Sequence, residues 1–474
     1  MTAHVSTSRR LFLFVLLYAA IAMGGNLHYN SVSHDEALNI LMGDQVFHGE
    51  ACPNCDQHTG TTLIQPVLAY LGDQVAGLEG ARFVSVLFGI GLIMVLYGTA
   101  KCLLNENMAL LAALLSLFTG TIVYLGKLVT YDMAAAFFLA LSFYLLVKST
   151  QSAENGRRNF LLACGAISLF LAGISKYTLV VFWVPVAGYA LWRHTFARWL
   201  FFFLIPLLVA AVFYFYLAIV PVLYVLSNSA THAYKEGNLG RIDLFSRYFR
   251  WLSVPYILAF FSFLHPDKAW RKIAFQLFLL STPVVLLQLI TGDNRSLDKN
   301  VIFALVFLAP CSAIGLDKMS GLFAFNSPGT WLKPFITMFL LIILWASSLT
   351  DLTWLERHFP DMTPVTGYLQ KVGFNGMDVA IESDFGDPHV IYRYVLGHKF
   401  PAANFYSLSY VVARDRKNLI AQKKPNFIVL DEYYASEPLP VKLARYSSLG
   451  YALVNTFAIK LPWGNQIVQI LKRG

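Results

Sequence analysis

The sequence predicts a polytopic α-helical membrane protein of about eleven transmembrane helices, followed by a C-terminal α/β domain outside the membrane. Hydrophobic residues make up 57% of the 474-residue chain and charged residues only 13%, whereas a typical soluble domain is about 45–50% apolar and about 25% charged. The apolar residues also fall into long runs that end near residue 350. This composition excludes a soluble globular protein.

Each predicted transmembrane helix corresponds to one apolar run, because about 20 apolar residues cross the roughly 30 Å hydrocarbon core. The first run, Leu11–Met23, lacks a small-residue cleavage site and leads directly into a charged loop, so we interpret it as a retained helix rather than a signal peptide. The remaining ten runs are Phe83–Tyr97, Met108–Leu125, Met133–Leu146, Phe160–Leu171, Thr178–Leu191, Leu200–Leu217, Leu252–Phe263, Ile273–Ile290, Val301–Ile314 and Phe335–Trp345.

Lysine and arginine residues set the predicted orientation, since short cytoplasmic loops carry an excess of both. With a cytoplasmic N-terminus, the basic residues cluster in the inner loops, whereas the first outer loop, residues 27–81, contains none. The net charge of +9 is then a topology signal. It does not indicate a nucleic-acid partner, which would require the basic residues to gather on one soluble face.

The tail after residue 350 has a different pattern. Asp378–Ile381 and Asn426–Leu430 are short apolar runs typical of buried strands, and Val390–Leu396 and Val441–Tyr446 are predicted helices. We therefore expect a transmembrane domain over residues 1–350 and a soluble α/β domain over residues 351–474, outside the membrane.

An acidic pair, Asp35 and Glu36, follows the first predicted helix. Leu38, Leu41 and Met42 share one side of the helical spacing behind it, which predicts an amphipathic helix lying along the membrane surface with the acids in its first turn. Two interpretations stay open. The acids either stabilise the helix N-terminus, or one of them removes a proton from an incoming hydroxyl.

A second polar group lies in the short hairpin between the third and fourth predicted membrane helices, where Lys127, Tyr131 and Asp132 occur together. A cation and a carboxylate at bilayer depth indicate either a polar cavity or a structural ion pair.

Basic residues also occur on the predicted outer side. Arg295 and Lys299 precede the tenth helix on the outer side, where the excess of basic residues in cytoplasmic loops makes them unexpected. They are therefore candidates for binding an anion such as phosphate. The alternative is a solvated loop whose charges pair with Asp293 and Asp298. The longer loop from residue 228 to 250, which contains Arg241, either covers a site or contacts lipid headgroups.

Cys52 and Cys55 lie in the same outer loop as Asp35, with His58 close behind. A disulfide is expected in an oxidising compartment; a divalent metal site is the alternative, although a fourth ligand is not evident. The sequence has no phosphate-binding glycine motif of either nucleotide-binding type. An activated donor used outside the membrane would therefore be lipid-linked.

These features, in this order, resemble the C-type (GT-C) membrane glycosyltransferases of the protein O-mannosyltransferase and aminoarabinose transferase superfamily. The likeness covers about the first 320 residues. It rests on Asp35-Glu36 after the first helix, Ala81–Gly89 opening the second, Tyr131-Asp132-Met133 opening the fourth, Ser175-Lys176-Tyr177 in the hairpin, and Leu297-Asp298-Lys299 before a helix containing Pro310.

The resemblance implies an inverting transfer from a polyprenyl-phosphate sugar to an acceptor hydroxyl of an envelope lipid, glycan or protein, at the periplasmic face of a bacterial inner membrane. Asp35 matches the family's general base, Glu36 would support it, and Asp132 matches an active-site acid. The remaining roles are donor-phosphate contacts by Lys127, Lys299, Arg82 and Arg295, and further donor or acceptor contacts by Gln65, Tyr131 and Arg241.

One position departs from the family. The aminoarabinose branch has Lys-Pro-Pro before its second helix, whereas this chain has Ile64-Gln65-Pro66. A missing cation there puts in doubt the donor-phosphate contact and any assumption that lipid A is the acceptor.

Two other classes of function fit parts of the sequence. A transporter or flippase of lipid-linked glycans would also place charges in a helical bundle, although the repeats typical of transporters are absent from this sequence. A non-catalytic assembly protein would leave Asp35, Asp132 and Lys299 free to vary. No cofactor is indicated by a motif.

Overall fold

The structure is a computed structural model that describes residues 2–48, 64–217, 241–291, 297–323, 332–357, 360–372, 378–382, 389–397, 404–408, 413–431, 438–461 and 464–474. Among the described residues, the elements up to residue 371 are helices, and a sheet with three further helices follows. The predicted order of a helical membrane part and an α/β tail is therefore present.

The helices before the sheet follow one another closely. They are α1 (Thr2–Gly24), α2 (His34–His48), α3 (Ile64–Leu103), α4 (Glu106–Leu117), α5 (Gly120–Lys127), α6 (Tyr131–Thr150), α7 (Asn155–Ser175), α8 (Trp183–Arg193), α9 (Phe196–Leu217), α10 (Arg241–Ser262), α11 (Lys268–Ser281), α12 (Pro283–Thr291), α13 (Leu297–Phe323), α14 (Leu332–Glu356) and α15 (Thr363–Lys371). A 3₁₀ turn, Tyr177–Phe182, links α7 to α8. Helix α3 is kinked at Ala76 and Gly77, where Gly77 has a φ of 61°.

Each of the eleven apolar runs of the sequence lies in helical structure. Within the described residues, seven helices are long and apolar enough to cross a membrane, or eight if the bent pair α4 and α5 is one span. The chain is a multi-pass membrane protein. The helices α1, α8 and α10, which correspond to three further predicted spans, are outside this set, so the count of eleven stays a prediction.

Helix α13 is the centre of the bundle. In its apolar stretch 94% of the residues are buried, against 6% in α14, which lies at the periphery. Helix α10 packs closely on α13 because Gly315 has no side chain. A Cβ there would lie 1.6 Å from the carbonyl oxygen of Leu258. Because α13 is buried and closely packed, its first turn is held in a fixed position.

The tail contains a five-stranded mixed sheet and three helices. The elements are β1 (Val379–Glu382), α16 (His389–Gly397), β2 (Phe405–Ser407), α17 (Ala413–Lys423), β3 (Phe427–Asp431), α18 (Leu439–Ser447), β4 (Tyr451–Leu461) and β5 (Gly464–Arg473). The strand order in the sheet is β2-β1-β3-β5-β4. Strands β1, β2 and β3 are parallel, and β5 pairs antiparallel with both β3 and β4. The predicted strands and helices are confirmed as β1, β3, α16 and α18.

Helix α2 belongs to the hydrophobic core of the tail. Its residues Ala37, Leu41 and Met42 are buried in one cluster with Val365 and Tyr392 of the tail. The acids do lie in the first turn of α2, as predicted. The prediction that its apolar side lies on the membrane surface is wrong, because the tail covers that side and removes it from lipid.

Candidate functional site

Asp35 and Lys299 form an ion pair at the centre of the candidate site. Asp35 is in the first turn of α2 and Lys299 is in the first turn of α13. The side chain of Asp35 is 32% exposed and that of Lys299 is 12% exposed. The pair is therefore reachable from outside the protein.

Glu36 occupies a closed environment, although it is the next residue. Its carboxylate accepts two hydrogen bonds from Arg82, both of 2.8 Å, and the two side chains are 0% and 1% exposed. It also accepts from the N–H of Ser33 at 2.9 Å, while the Ser33 hydroxyl accepts from the N–H of Glu36 at 3.4 Å. This reciprocal pattern is a capping box that fixes the start of α2.

Arg82 joins this cap to the loop that follows α1. Its guanidinium donates to the carbonyls of Leu27, Asn30 and Ser31 and lies 4.4 Å from the ring centre of Tyr29. Burial raises the pKa of the Tyr29 phenol well above its usual value, and the Glu36 carboxylate adds to the increase. The position of Arg82 is that of a structural anchor, and its predicted contact with the donor phosphate is untested.

Asp132 pairs with Lys176, which lies between α7 and the 3₁₀ turn. Both side chains are nearly buried, at 2% and 8% exposure. The ammonium of Lys176 is 5.6 Å from the ring centre of Tyr131. The same ammonium is 5.3 Å from the ring centre of Phe303, which lies one turn after Lys299 in α13. The two ion pairs therefore lie near each other and form one polar group.

Lys127 does not pair with Asp132, its neighbour in the predicted hairpin. Its ammonium donates to the Glu356 carboxylate at 2.8 Å, and the two side chains are 7% and 21% exposed. This pair ties the end of α5 to the end of α14. The prediction that Lys127 contacts the donor phosphate is untested.

Gln65 is buried in the first turn of α3. Its Nε2 donates to the Ser85 hydroxyl at 3.1 Å, and its Oε1 has no partner among the described residues. Asn39 is similar, because its Nδ2 donates to the Asp35 carbonyl at 2.8 Å while its Oδ1 has no partner in the described part of the chain. Both amides retain an acceptor oxygen for a ligand or water.

Several predicted site residues fall outside what the structure describes. Arg295, Cys52 and Cys55 lie outside the described residues, and so does the side chain of Arg241 at the start of α10. Among the residues that are described, there is no group of three or more His, Cys, Asp or Glu side chains able to hold a metal ion. The disulfide and metal alternatives for the first outer loop are therefore untested.

Sequence reasoning missed one residue of this group as a site candidate. Lys176 was recognised only as part of the Ser175-Lys176-Tyr177 stretch, and the structure makes it the partner of Asp132. A lysine at the end of an apolar run was the available signal, since ionisable residues at membrane depth normally have a partner.

The sequence has one recognisable family match. Residues 70–234 match the family described as dolichyl-phosphate-mannose-protein mannosyltransferase. No curated protein matches the chain by sequence.

The fold is similar to those of solved membrane proteins over nearly the whole chain. The apo structure of ArnT from Cupriavidus metallidurans has a TM-score of 0.62 at 12% identity, covering 98% of each chain. The structure of that protein bound to undecaprenyl phosphate has a TM-score of 0.59 at 12% identity, covering 97% of each chain. The oligosaccharyltransferase of Archaeoglobus fulgidus, in complex with Zn and sulfate, has a TM-score of 0.55 at 10% identity, covering 96% of this chain and 72% of that one.

Proposed function

We propose that the chain is a membrane glycosyltransferase of the protein O-mannosyltransferase superfamily that uses a lipid-phosphate-linked sugar donor, with Asp35 as its general base. In this proposal the sugar passes, with inversion, from a polyprenyl phosphate to an acceptor hydroxyl at the periplasmic face. The family match favours this enzyme over a flippase or an assembly protein.

The contrast between the two adjacent acids carries the proposal. Asp35 is 32% exposed and Glu36 is 0% exposed. A general base must come within hydrogen-bonding distance of the proton that it removes. The partly exposed carboxylate of Asp35 is open to an incoming hydroxyl, which supports this role, whereas Glu36 is enclosed by Arg82 and the capping box. In this proposal Glu36 holds Asp35 in place.

Lys299 supports the donor side of the reaction. ArnT from Cupriavidus metallidurans has been solved with undecaprenyl phosphate, and we propose that the phosphate of a similar donor binds next to Lys299. A phosphate attracts the ammonium away from Asp35, which frees the carboxylate to accept a proton. Donor binding and activation of the base are then coupled through one lysine.

The bond changes follow from this arrangement. Asp35 takes the proton of the acceptor hydroxyl while the oxygen of that hydroxyl attacks the anomeric carbon of the sugar. The bond between that carbon and the phosphate oxygen breaks, and its electron pair leaves with the phosphate. Cations beside the departing phosphate stabilise the charge that develops there. In this proposal Lys299 provides one cation, and Lys176, which pairs with Asp132 and lies 5.3 Å from the Phe303 ring on the same helix as Lys299, provides a second.

The test compares two substitutions of the same kind on α2. Asp35→Asn should abolish release of polyprenyl phosphate from a polyprenyl-phosphate sugar, measured by mass spectrometry on purified protein in nanodiscs. Asp44→Asn is the matched control, because Asp44 pairs with His48 at the other end of the helix. Transfer at the normal rate by Asp35→Asn would rule out the base assignment.

The sugar and the acceptor require a separate experiment. Mass spectrometry of the glycolipids, glycans and glycoproteins of a deletion strain should identify one sugar that is lost from one envelope component. Loss of no component would contradict the proposed transfer.

A further inference from the structure

A cleft of about 250 Å³ lies where the tail meets the loop before α2. It is lined by Ser31 and Val32, by Leu78 next to the kink of α3, and by residues of α15 and α16. We call it the tail cleft. It is smaller than the pockets of about 300–1,000 Å³ that hold drug-sized ligands. Its size suits one sugar ring.

The tail cleft adjoins the proposed base. Val32 precedes Asp35 by three residues, so their Cα atoms are at most about 11 Å apart even in fully extended chain. Tyr394, which also lines the cleft, donates its hydroxyl to Asp73 of α3 at 2.5 Å. A ring in the cleft would therefore lie beside the start of α2.

The lining of the tail cleft fits an uncharged group that bears hydroxyls. Among the described residues that line it there is no Lys, Arg, Asp or Glu. Ser31, Thr363, Thr366 and Gln370 supply hydroxyl and amide groups, and the remaining surface is mainly aliphatic. A charged ligand would lose hydration there without gaining a counter-charge, which is costly. A sugar ring has both polar hydroxyls and an apolar face.

We infer that the tail cleft binds an uncharged, hydroxyl-bearing ring of the acceptor, so that the tail selects the acceptor. The inference rests on the proposed function, because it gives Asp35 the hydroxyl that it deprotonates. Such a ring could be carried by a lipid or belong to a free saccharide. The experiments below separate these sources.

Gly367 is a position from which a side chain can enter the cleft. It lines the cleft from α15, and a Cβ at this position meets no atom within 4 Å. Gly188 in α8 is a matched control, since a Cβ there also meets no atom within 4 Å and the residue is not in the cleft. Gly367→Phe should occlude the cleft, while Gly188→Phe should leave it open.

The first experiment measures occupancy without turnover. Gly367→Cys and Gly188→Cys are labelled with a maleimide in nanodiscs, and the labelled peptides are quantified by mass spectrometry. Octyl glucoside, as a lipid-linked probe, or maltose, as a free probe, should slow labelling at position 367 about threefold or more. Protection by only one of them identifies the source. No protection by either probe would overturn the inference, whether or not Asp35 is the base.

The second experiment measures transfer to the acceptor identified in the deletion strain. Gly367→Phe should raise the acceptor KM about tenfold while the donor KM stays within about twofold of wild type. Gly188→Phe should match wild type in both. An unchanged acceptor KM in folded, active Gly367→Phe would refute the cleft as the acceptor site. An inactive wild-type protein would instead count against the proposed function, and the labelling result would still decide the cleft.

Discussion

The carboxylate of Asp35 is paired with the ammonium of Lys299, although 264 residues separate them in the sequence. Asp35 belongs to a helix that packs on the tail, and Lys299 belongs to the most buried of the candidate membrane spans among the described residues. The pair joins two parts of the protein that have different cores. In the proposed function, a phosphate that binds at Lys299 frees the Asp35 carboxylate from this ion pair in the same step.

Replacement of Lys299 should act on the donor more than on the acceptor. Lys299→Gln removes the cation that we place beside the donor phosphate, so the donor KM should rise about tenfold or more. Lys299→Glu should raise it further through repulsion. Steady-state kinetics at varied donor and acceptor concentrations measure both constants.

Lys101→Gln is the control for this prediction, since Lys101 also pairs with a carboxylate, that of Glu106 at 2.9 Å, in a 45% exposed position. It should leave both constants unchanged. A normal donor KM in Lys299→Gln would remove Lys299 from the phosphate site.

Replacement of Glu36 should reduce stability. Glu36→Gln leaves the buried guanidinium of Arg82 without its counter-charge, and breaking a buried pair of this kind costs about 3–5 kcal/mol. The melting temperature in detergent should fall markedly. Asp44→Asn, on the same helix but in an exposed pair, should change it little. Equal melting temperatures for the Glu36→Gln and wild-type proteins would show that the pair does not anchor α2.

Gly315 should be intolerant of even one methyl group. Gly315→Ala forces α10 and α13 apart, because the new Cβ would meet the Leu258 carbonyl. Overpacking of this kind costs about 1–3 kcal/mol. Gly321→Ala in the same helix is the control, since a Cβ there meets no atom within 4 Å. Thermal unfolding of both variants tests the prediction, and similar melting temperatures would contradict it.

His194 should make the protein less stable at acidic pH. Burial lowers the pKa of its imidazole from 6.5 to about 4, and Arg198, Arg158 and Arg193 contribute to the decrease. Between these two pH values the unfolded chain binds a proton that the folded chain does not. The free energy of unfolding should therefore decrease as the pH falls through this range.

The measurement for His194 is the melting temperature from pH 7 to about pH 4 in wild type and in His194→Gln. Glutamine retains a polar group near the Ser149 hydroxyl, which is 3.0 Å from Nε2 of His194. The variant should show a weaker dependence on pH. Parallel curves for the two proteins would show that another group is responsible.

The sequence predicted the members of the candidate site better than their partners. Loop positions on one predicted side of the membrane grouped Asp35, Asp132 and Lys299. In the structure Asp35 pairs with Lys299, and Lys176, the partner of Asp132, lies against Phe303, one helical turn from Lys299. Pairing depends on the rotation of each helix about its axis, which apolar runs do not specify. For this reason the sequence did not predict that Lys127 pairs with Glu356 and Asp132 with Lys176.

Prediction of the tail from the sequence was limited in a similar way. Strands β1 and β3 are short and fully buried, so their apolar runs are visible in the sequence. The long hairpin of β4 and β5 has one largely exposed strand and gives no such run, and the sequence did not predict it. The apolar side of α2 was visible, but an amphipathic pattern does not indicate whether lipid or protein covers it.

The core that α2 shares with the tail has a consequence for biogenesis. Asp35 is synthesised well before the residues that cover its helix, such as Val365 and Tyr392. We expect the proposed base to reach its final position only after the tail has been synthesised and has folded. A nascent chain without its tail would then be unable to consume lipid-linked sugar, and the order of synthesis itself would delay activity until the tail is in place.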